Sequence, residues 1–154
     1  MNPDVAIVPL HKRVEDFSEL VAQADVVLDC SDNFATRHAI NRACVRHARP
    51  LVSGAALRFD AQLMVFDLRN NASACYACLF PEDAQVEEVQ CSTMGVFAPL
   101  TGVIGAMQAM EALKLVAGIG TSVDLQILDA KGAEWRSVRL KKDPACVVCS
   151  KEGA

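Results

Sequence analysis

The sequence has 154 residues, a length that suits one domain and is sufficient to bury a core. Apolar residues make up 52 % of the chain and charged residues 22 %, which excludes an intrinsically disordered protein. The net charge is −4 and no run is rich in lysine and arginine, so we do not expect a nucleic acid as partner.

Cysteine use and hydropathy indicate the compartment. Seven cysteines are an odd number and too few for a disulfide scaffold of this length, and no secretory signal pattern opens the sequence. The mostly apolar stretch 97–119 carries Gln108, Glu111 and Lys114 at intervals of three residues. This spacing predicts a buried helix with one solvent-exposed edge, not a membrane span. We therefore expect a soluble, cytoplasmic protein without a membrane partner.

The first part of the chain alternates predicted strands and helices. Strands are predicted over residues 5–10, 25–30 and 50–56, and helices over residues 15–24 and 35–48. The apolar run 25–30 is typical of a central parallel strand that is covered on both faces. This alternation predicts the α/β class, with part of a Rossmann-like doubly wound sheet.

The second part departs from this alternation. A strand over residues 62–68 follows the preceding strand so closely that we expect an antiparallel pair, and a long helix over about 99–117 ends at Gly118. Residues 123–129 and 134–140 flank a turn, which indicates a hairpin. The sequence contains no repeat, low-complexity segment or linker, so we expect residues 1–154 to form a single domain.

Two Cys-x-x-Cys pairs, Cys75 with Cys78 and Cys146 with Cys149, are separated by residues 79–145. Four thiolates arranged as a tetrahedron form a closed structural zinc site, which we favour here. Such a site would tie the end of the sequence to the middle of a larger domain. Disulfides, a redox function and unligated core cysteines are the alternatives.

Ser31, Asp32 and Asn33 directly follow the predicted strand 25–30. In open α/β sheets, ligands bind at the edge formed by the carboxyl ends of the strands. Asp32 is therefore placed to hold Mg²⁺ or to polarise a group near a phosphate. The alternative is that Asp32 only caps the following helix, and its position in the sequence leaves both roles open.

Cys91 lies between the acidic segment 81–90 and the long helix. A helix N-terminus stabilises a thiolate and would suit a nucleophile, whereas the nearby carboxylates oppose thiolate formation. The role of Cys91 as a nucleophile therefore stays open on chemical grounds. We expect Cys30 and Cys44 to be packed core thiols. The three histidines show no ligand or triad spacing, so we expect them to be structural or surface residues.

Taken together, these residues resemble the ThiF/MoeB/HesA family of adenylating enzymes, which are relatives of ubiquitin-activating enzymes. The resemblance covers nearly the whole chain, and its pieces follow the family's order. They are residues 29–33 with Arg37, Cys75 and Cys78, Cys91, the residues Gly95-Val96, Pro99 and 102–105, Glu111 with Lys114, and Cys146 with Cys149.

The resemblance implies an adenylyltransferase that uses ATP and Mg²⁺. Its substrate would be the C-terminal glycine of a ubiquitin-like sulfur-carrier protein of thiamin or molybdopterin synthesis. It implies that Asp32 serves Mg²⁺ and the phosphates, with Ser31 and Asn33 lining that edge, and that the four paired cysteines hold a structural zinc ion. Cys91 resembles a cysteine that forms a covalent link to the carrier or a sulfur donor in some members. The family commonly forms dimers, so we expect a homodimer or an association with a missing amino-terminal half.

One part of the family's pattern is absent. The phosphate-binding motif Gly-x-Gly-x-x-Gly does not occur between Met1 and Gly54. In the family, that upstream region also supplies the acidic residue for the ribose and the cations for the pyrophosphate leaving group. We therefore expect a carboxyl-terminal portion of an adenylating enzyme, incomplete for catalysis because such displacements depend on electrostatic stabilisation. The alternative is a non-catalytic, zinc-stabilised module that binds a ubiquitin-fold carrier.

Overall fold

The computed structural model describes residues 2–13, 17–83, 94–120 and 124–150. The helices among these residues are α1 (Ser18–Gln23), α2 (Phe34–Arg46), α3 (Tyr76–Leu79) and α4 (Ala98–Ala117). The strands are β1 (Val27–Asp29), β2 (Leu51–Leu57), β3 (Asp60–Phe66), β4 (Asp124–Asp129) and β5 (Glu134–Arg139).

The five strands form one mixed sheet in the order β1-β2-β3-β4-β5. β1 and β2 are parallel because α2 returns the chain to the start of the sheet between them, whereas the other three pairs are antiparallel. A tight turn joins β2 to β3, and Arg58 adopts a positive φ of 52° in it. The predicted α/β fold, with parallel strands, an antiparallel extension and a terminal hairpin, is confirmed.

Helices cover both faces of the sheet, as expected for a doubly wound arrangement. Side chains of neighbouring residues point to opposite faces of a strand. One face of β2 and β3 accordingly packs Leu51, Met64 and Phe66 with residues of α1, α2 and α3. Val52 and Leu63 pack on the other face with Leu115 of α4. The carboxyl end of β1 and the start of α2 lie at the edge of this core.

Two predicted strands differ from the structure. Residues 5–10 form no strand, and the side chains of Ile7 and Val8 are about three-quarters exposed. β-branched residues favour a strand when a neighbouring strand pairs with them, and no described strand pairs with this segment. β1 was predicted to be central but lies at the edge of the described sheet, with Leu28 exposed. An apolar run indicates burial but does not specify which strands lie beside it.

The long helix α4 ends as predicted, because Gly118 adopts the left-handed conformation at φ 66°. The side of α4 that faces the core, however, is not the predicted one. Gln108 and Glu111 are only 3 % and 4 % exposed, whereas Met110 and Leu113 are 48 % and 69 % exposed. The prediction of a solvent-exposed polar edge was wrong because the sheet offers polar backbone partners to α4. By length and composition α4 could also cross a membrane, and a third of its apolar window is buried.

Candidate functional site

A buried ion pair holds the carboxyl end of β1. Arg37 Nη1 donates to Asp29 Oδ2 at 3.1 Å, and the hydroxyl of Ser53 donates to the same oxygen at 3.0 Å. Arg37 Nη2 donates to the backbone carbonyls of Ser31 and Gly54, the latter at 3.0 Å. Buried charges are tolerated when they are paired and hydrogen-bonded. This network therefore fixes β1, the following loop, α2 and β2 relative to one another.

The loop after β1 brings the three predicted edge residues together. Ser31 donates from its backbone N–H and its hydroxyl to Asp29 Oδ1, at 2.9 and 2.6 Å. Asn33 caps α2, because its Oδ1 accepts from the Thr36 N–H at 2.8 Å. The carboxylate of Asp32 is exposed and receives a long 3.4 Å contact from the Asn33 amide. The cap of α2 is therefore Asn33, and the exposed Asp32 carboxylate does not serve as the cap.

A cavity of about 710 Å³ opens at this edge, a volume in the range of small-molecule sites. Residues Ser31, Asp32 and Asn33 form its polar side. The other walls come from the ends of β2 and β3, from α4 and from aromatic residues near α3, and they include Gly54, Arg58, Met64, Tyr76, Phe80, Ile104 and Gly105. The cavity therefore combines polar groups at the carboxyl end of β1 and at the β2–β3 turn with a mostly apolar lining elsewhere.

Gln108 of α4 also lines the cavity and crosses the two parallel strands. Its Nε2 donates to the carbonyl of Asp29 at 2.9 Å and to that of Val52 at 3.2 Å, and its Oε1 accepts from the Cys30 thiol at 3.6 Å. A Cβ at Gly54 would lie 2.4 Å from the end of the Gln108 side chain, so any larger residue there would force the Gln108 amide to move from its hydrogen bonds. Cys30 is exposed, and the prediction that it is a packed core thiol was wrong.

The four cysteines of the two pairs meet, although residues 79–145 separate them in sequence. The Sγ atoms lie 3.7 Å apart for Cys75 and Cys146, 3.4 Å for Cys78 and Cys149, and 4.0 Å for Cys75 and Cys78. All four lie within 4.8 Å of one another. Zinc–sulfur bonds of about 2.3 Å give sulfur–sulfur edges of about 3.8 Å in a tetrahedron. The cluster therefore fits a tetrahedral metal ion, and its sulfurs are too far apart for disulfides.

The surroundings of the sulfur atoms also suit thiolate ligands. The backbone N–H groups of Cys75 and Asp143 point at Cys78 Sγ, each at 3.4 Å, and Asn41 Nδ2 points at Cys75 Sγ at 3.6 Å. Burial raises the pKa of Cys75 to about 11, so this thiol keeps its proton at neutral pH unless a cation replaces it. The donor set is thus that of a structural metal site of the Cys₄ type.

Cys91 lies outside the described residues, together with residues 84–90 of the acidic segment. Glu82, just before them, accepts from Arg42 Nη1 at 2.7 Å and lies 3.8 Å from Nδ1 of His38. The ring of His38 packs edge-on against Tyr76, with the centroids 5.3 Å apart, and burial lowers the pKa of His38. The acidic segment is therefore anchored on α2 where it begins.

Sequence reasoning assigned no role to Asn41 or Ser53, and it placed Gln108 on a solvent-exposed edge of the long helix. Asn41 follows Arg37 by four residues, and this spacing places both residues on one side of a helix. That spacing was a usable signal for Asn41. The roles of Ser53 and Gln108 depend on strand pairing and helix orientation, and neither is visible in a local pattern.

Comparisons with known proteins agree with this geometry. The family model described as the ThiF family matches residues 1–148. The sulfur carrier protein ThiS adenylyltransferase of Escherichia coli (strain K12) is 44 % identical, and the match covers 100 % of this chain and 62 % of that protein. The molybdopterin-synthase adenylyltransferase of the same organism is 42 % identical over 97 % of this chain and 61 % of its own length. The chain thus spans about three-fifths of these two relatives.

Solved structures show the same fold at lower identity. A crystal structure of E. coli MccB with ATP superposes with a TM-score of 0.68 at 17 % identity, and it covers 94 % of this chain and 45 % of that one. A second MccB structure, with MccA-N7isoASN, gives a TM-score of 0.69 over the same shares. At this level of identity, the likeness supports the fold alone.

Proposed function

The chain belongs to the ThiF family, and on this premise we propose that it forms part of an ATP-dependent adenylyltransferase. The substrate would be the C-terminal glycine carboxylate of a ubiquitin-like sulfur-carrier protein of the thiamin or molybdopterin type. The chain is similar to a sulfur carrier protein ThiS adenylyltransferase and to a molybdopterin-synthase adenylyltransferase, and this similarity supports the proposed class of substrate.

The chemistry of such a reaction is acyl activation. A carboxylate is a poor electrophile, and its attack on the α-phosphorus of ATP forms an acyl-adenylate while the bond to pyrophosphate breaks. Mg²⁺, when bound, supplies positive charge to the phosphate oxygens. We assign Asp32 as the residue that holds it, with Ser31 and Asn33 lining the phosphate side of the cavity.

One observation carries this assignment. The Asp32 carboxylate is exposed on the polar side of the cavity while its neighbours on both sides serve the fold. Ser31 is bonded to Asp29, and Asn33 caps α2, so these contacts hold the loop and leave Asp32 available to a cation. Oxygen ligands of this kind, one or two carboxylates with substrate phosphates, are those that Mg²⁺ prefers.

We further propose that adenylation requires residues beyond those of this sequence. The sequence contains no Gly-x-Gly-x-x-Gly motif to cradle the phosphates, and the buried Arg37 is committed to Asp29. Stabilisation of a pyrophosphate leaving group is largely electrostatic. We therefore expect no adenylation of a carrier by the chain alone.

We propose that the four-cysteine cluster holds a structural zinc ion. The sulfur–sulfur distances, the N–H donors around the cluster and the burial of Cys75 and Cys146 support a closed site without an open coordination position. The ion would join α3 to the segment after β5. This role is structural, and we assign it no step of the reaction.

A non-catalytic module that binds a ubiquitin-fold carrier is the second candidate. The two candidates differ in whether the residues of the cavity support adenylation. We propose to replace the aligned part of the E. coli ThiS adenylyltransferase with this chain and to measure carrier-dependent exchange of labelled pyrophosphate into ATP.

Exchange by this chimera supports the adenylyltransferase, and its absence in a folded chimera that binds carrier supports the module. The chain alone, with ATP and carrier, should show no exchange. Exchange by the chain alone at a rate typical of adenylyltransferases would contradict the proposed requirement for further residues.

A further inference from the structure

Asn41 is the most deeply buried polar side chain near the cysteine cluster, with no solvent exposure. Both the oxygen and the nitrogen of its side-chain amide form hydrogen bonds. Oδ1 accepts from the backbone N–H of Tyr76 at 2.9 Å, and Nδ2 donates to Cys75 Sγ at 3.6 Å. One side chain of α2 therefore contacts the first residue of α3 and a sulfur of the cluster.

The same side of α2 also holds the cavity edge. Asn33, Arg37 and Asn41 follow one another at intervals of four residues, slightly more than one helical turn. Asn33 caps the helix, Arg37 binds Asp29 and the carbonyl of Ser31, and Asn41 binds the cysteine cluster. A single rigid helix thus joins the two sites that the sequence analysis treated separately.

We propose that Asn41 is a positioning residue that ties the metal site to the Ser31–Asp32–Asn33 edge through α2; this inference rests on the proposed zinc site. Thiolate sulfurs carry negative charge, so an amide N–H aimed at one of them stabilises the ligand form. Outer hydrogen bonds of this kind orient metal ligands, and their loss typically reduces metal affinity by about 10–100-fold.

Two substitutions separate the parts of this contact. Asn41→Asp keeps an oxygen for the Tyr76 N–H but replaces the donor to Cys75 with a carboxylate that repels thiolates. Asn41→Leu preserves the approximate volume and removes both hydrogen bonds. Asn71 is exposed and its side chain makes no hydrogen bond to the described residues, so the same two substitutions there provide matched controls.

The first readout is the metal site itself. Zinc content per chain is measured, then the rate of zinc transfer to a chromogenic chelator, then the sulfur-to-metal charge-transfer band after substitution with cobalt(II). Both Asn41 variants should release zinc at least about tenfold faster, in keeping with the loss of an outer hydrogen bond. The cobalt band should shift in Asn41→Asp, and the Asn71 variants should match the parent chain.

The second readout is hydrogen exchange in the zinc-loaded proteins. Amides of residues 31–37 should exchange faster in the Asn41 variants, while those of the β4–β5 hairpin, 124–139, stay unchanged. If the parent chain binds no zinc, the proposed metal site fails and this inference fails with it. If zinc binds but the Asn41 variants release it and exchange like the parent, only the role of Asn41 is overturned. If Asn41→Leu does not fold, the outcome for Asn41→Asp decides.

Discussion

The substitution Arg37→Met tests whether the buried network holds the cavity edge. The guanidinium makes four hydrogen bonds, to Asp29 Oδ2, Ser53 Oγ and the carbonyls of Ser31 and Gly54. Methionine fills similar space but leaves Asp29 as a buried carboxylate without its counter-ion. Breaking a buried pair by removing one partner costs about 3–5 kcal/mol. We expect a loss in this range.

Asp29 would not be left bare, because the Ser31 N–H and the hydroxyls of Ser31 and Ser53 still donate to it. We therefore expect the lower half of the range, about 3–4 kcal/mol. The free energy of unfolding is measured by urea denaturation of the zinc-saturated protein, followed by far-ultraviolet circular dichroism. The slope of the transition should stay constant.

A double-mutant cycle with Asp29→Asn isolates the pair. Asparagine carries no charge, so Arg37→Met combined with Asp29→Asn should cost less than the sum of the single substitutions, with a coupling energy of at least about 1 kcal/mol. A loss below about 1 kcal/mol for Arg37→Met, or simple additivity in the cycle, would refute the account of a buried ion pair that organises the edge.

Three further predictions concern Gly54 in the cavity lining, the pH dependence of stability at His38, and the exposed face of α4. Gly54→Ala should destabilise the protein by about 1–3 kcal/mol through overpacking against Gln108, and Gln108→Ala should partly restore stability in the double variant; simple additivity would contradict this. Burial lowers the pKa of His38 below 6.5, so as the pH falls the unfolded chain takes up this proton at a higher pH than the folded protein does. The free energy of unfolding should therefore be unaffected by His38 above pH 6.5 and should decline as the pH falls below that value. In His38→Phe, the free energy of unfolding obtained from urea melts should fall less steeply below pH 6.5 than in the parent protein. An equal pH dependence in the two proteins would contradict this. Leu113→Glu should leave the free energy of unfolding within about 0.5 kcal/mol because the side chain is exposed. If the homodimer that the family resemblance implies forms through the exposed face of α4, this variant should also self-associate less in sedimentation. Self-association equal to that of the parent chain would exclude this face as the interface.

Much of the fold was predictable because its signals are local. The glycine at the end of α4, the turn between β4 and β5, and the short connection from β2 to β3 each identified an element and its neighbour. The Cys-x-x-Cys spacing likewise predicted a four-sulfur cluster, and the sulfur distances agree with it. Each of these signals lies in a few adjacent residues, although the cluster itself joins two pairs that residues 79–145 separate.

The remaining features depend on tertiary partners. α2 buries Arg37, His38 and Asn41, polar residues that residue type alone assigns to the solvent. They are buried because Asp29, Tyr76 and the cysteine cluster supply partners from other elements. Gln108 was misassigned for the same reason, since its partners are strand carbonyls that the sequence does not place beside it.

We propose that Asp32 is the carboxylate that holds Mg²⁺ beside the phosphates of an adenylyltransferase. The most direct test is carrier-dependent pyrophosphate exchange by the chimera with the E. coli ThiS adenylyltransferase, with Asp32→Asn compared to Asp25→Asn, an exposed residue outside the cavity. We predict that Asp32→Asn reduces exchange at least about 100-fold, since loss of one electrostatic group in an active site costs that much, while Asp25→Asn leaves it unchanged. Equal exchange by the two variants would contradict the assignment.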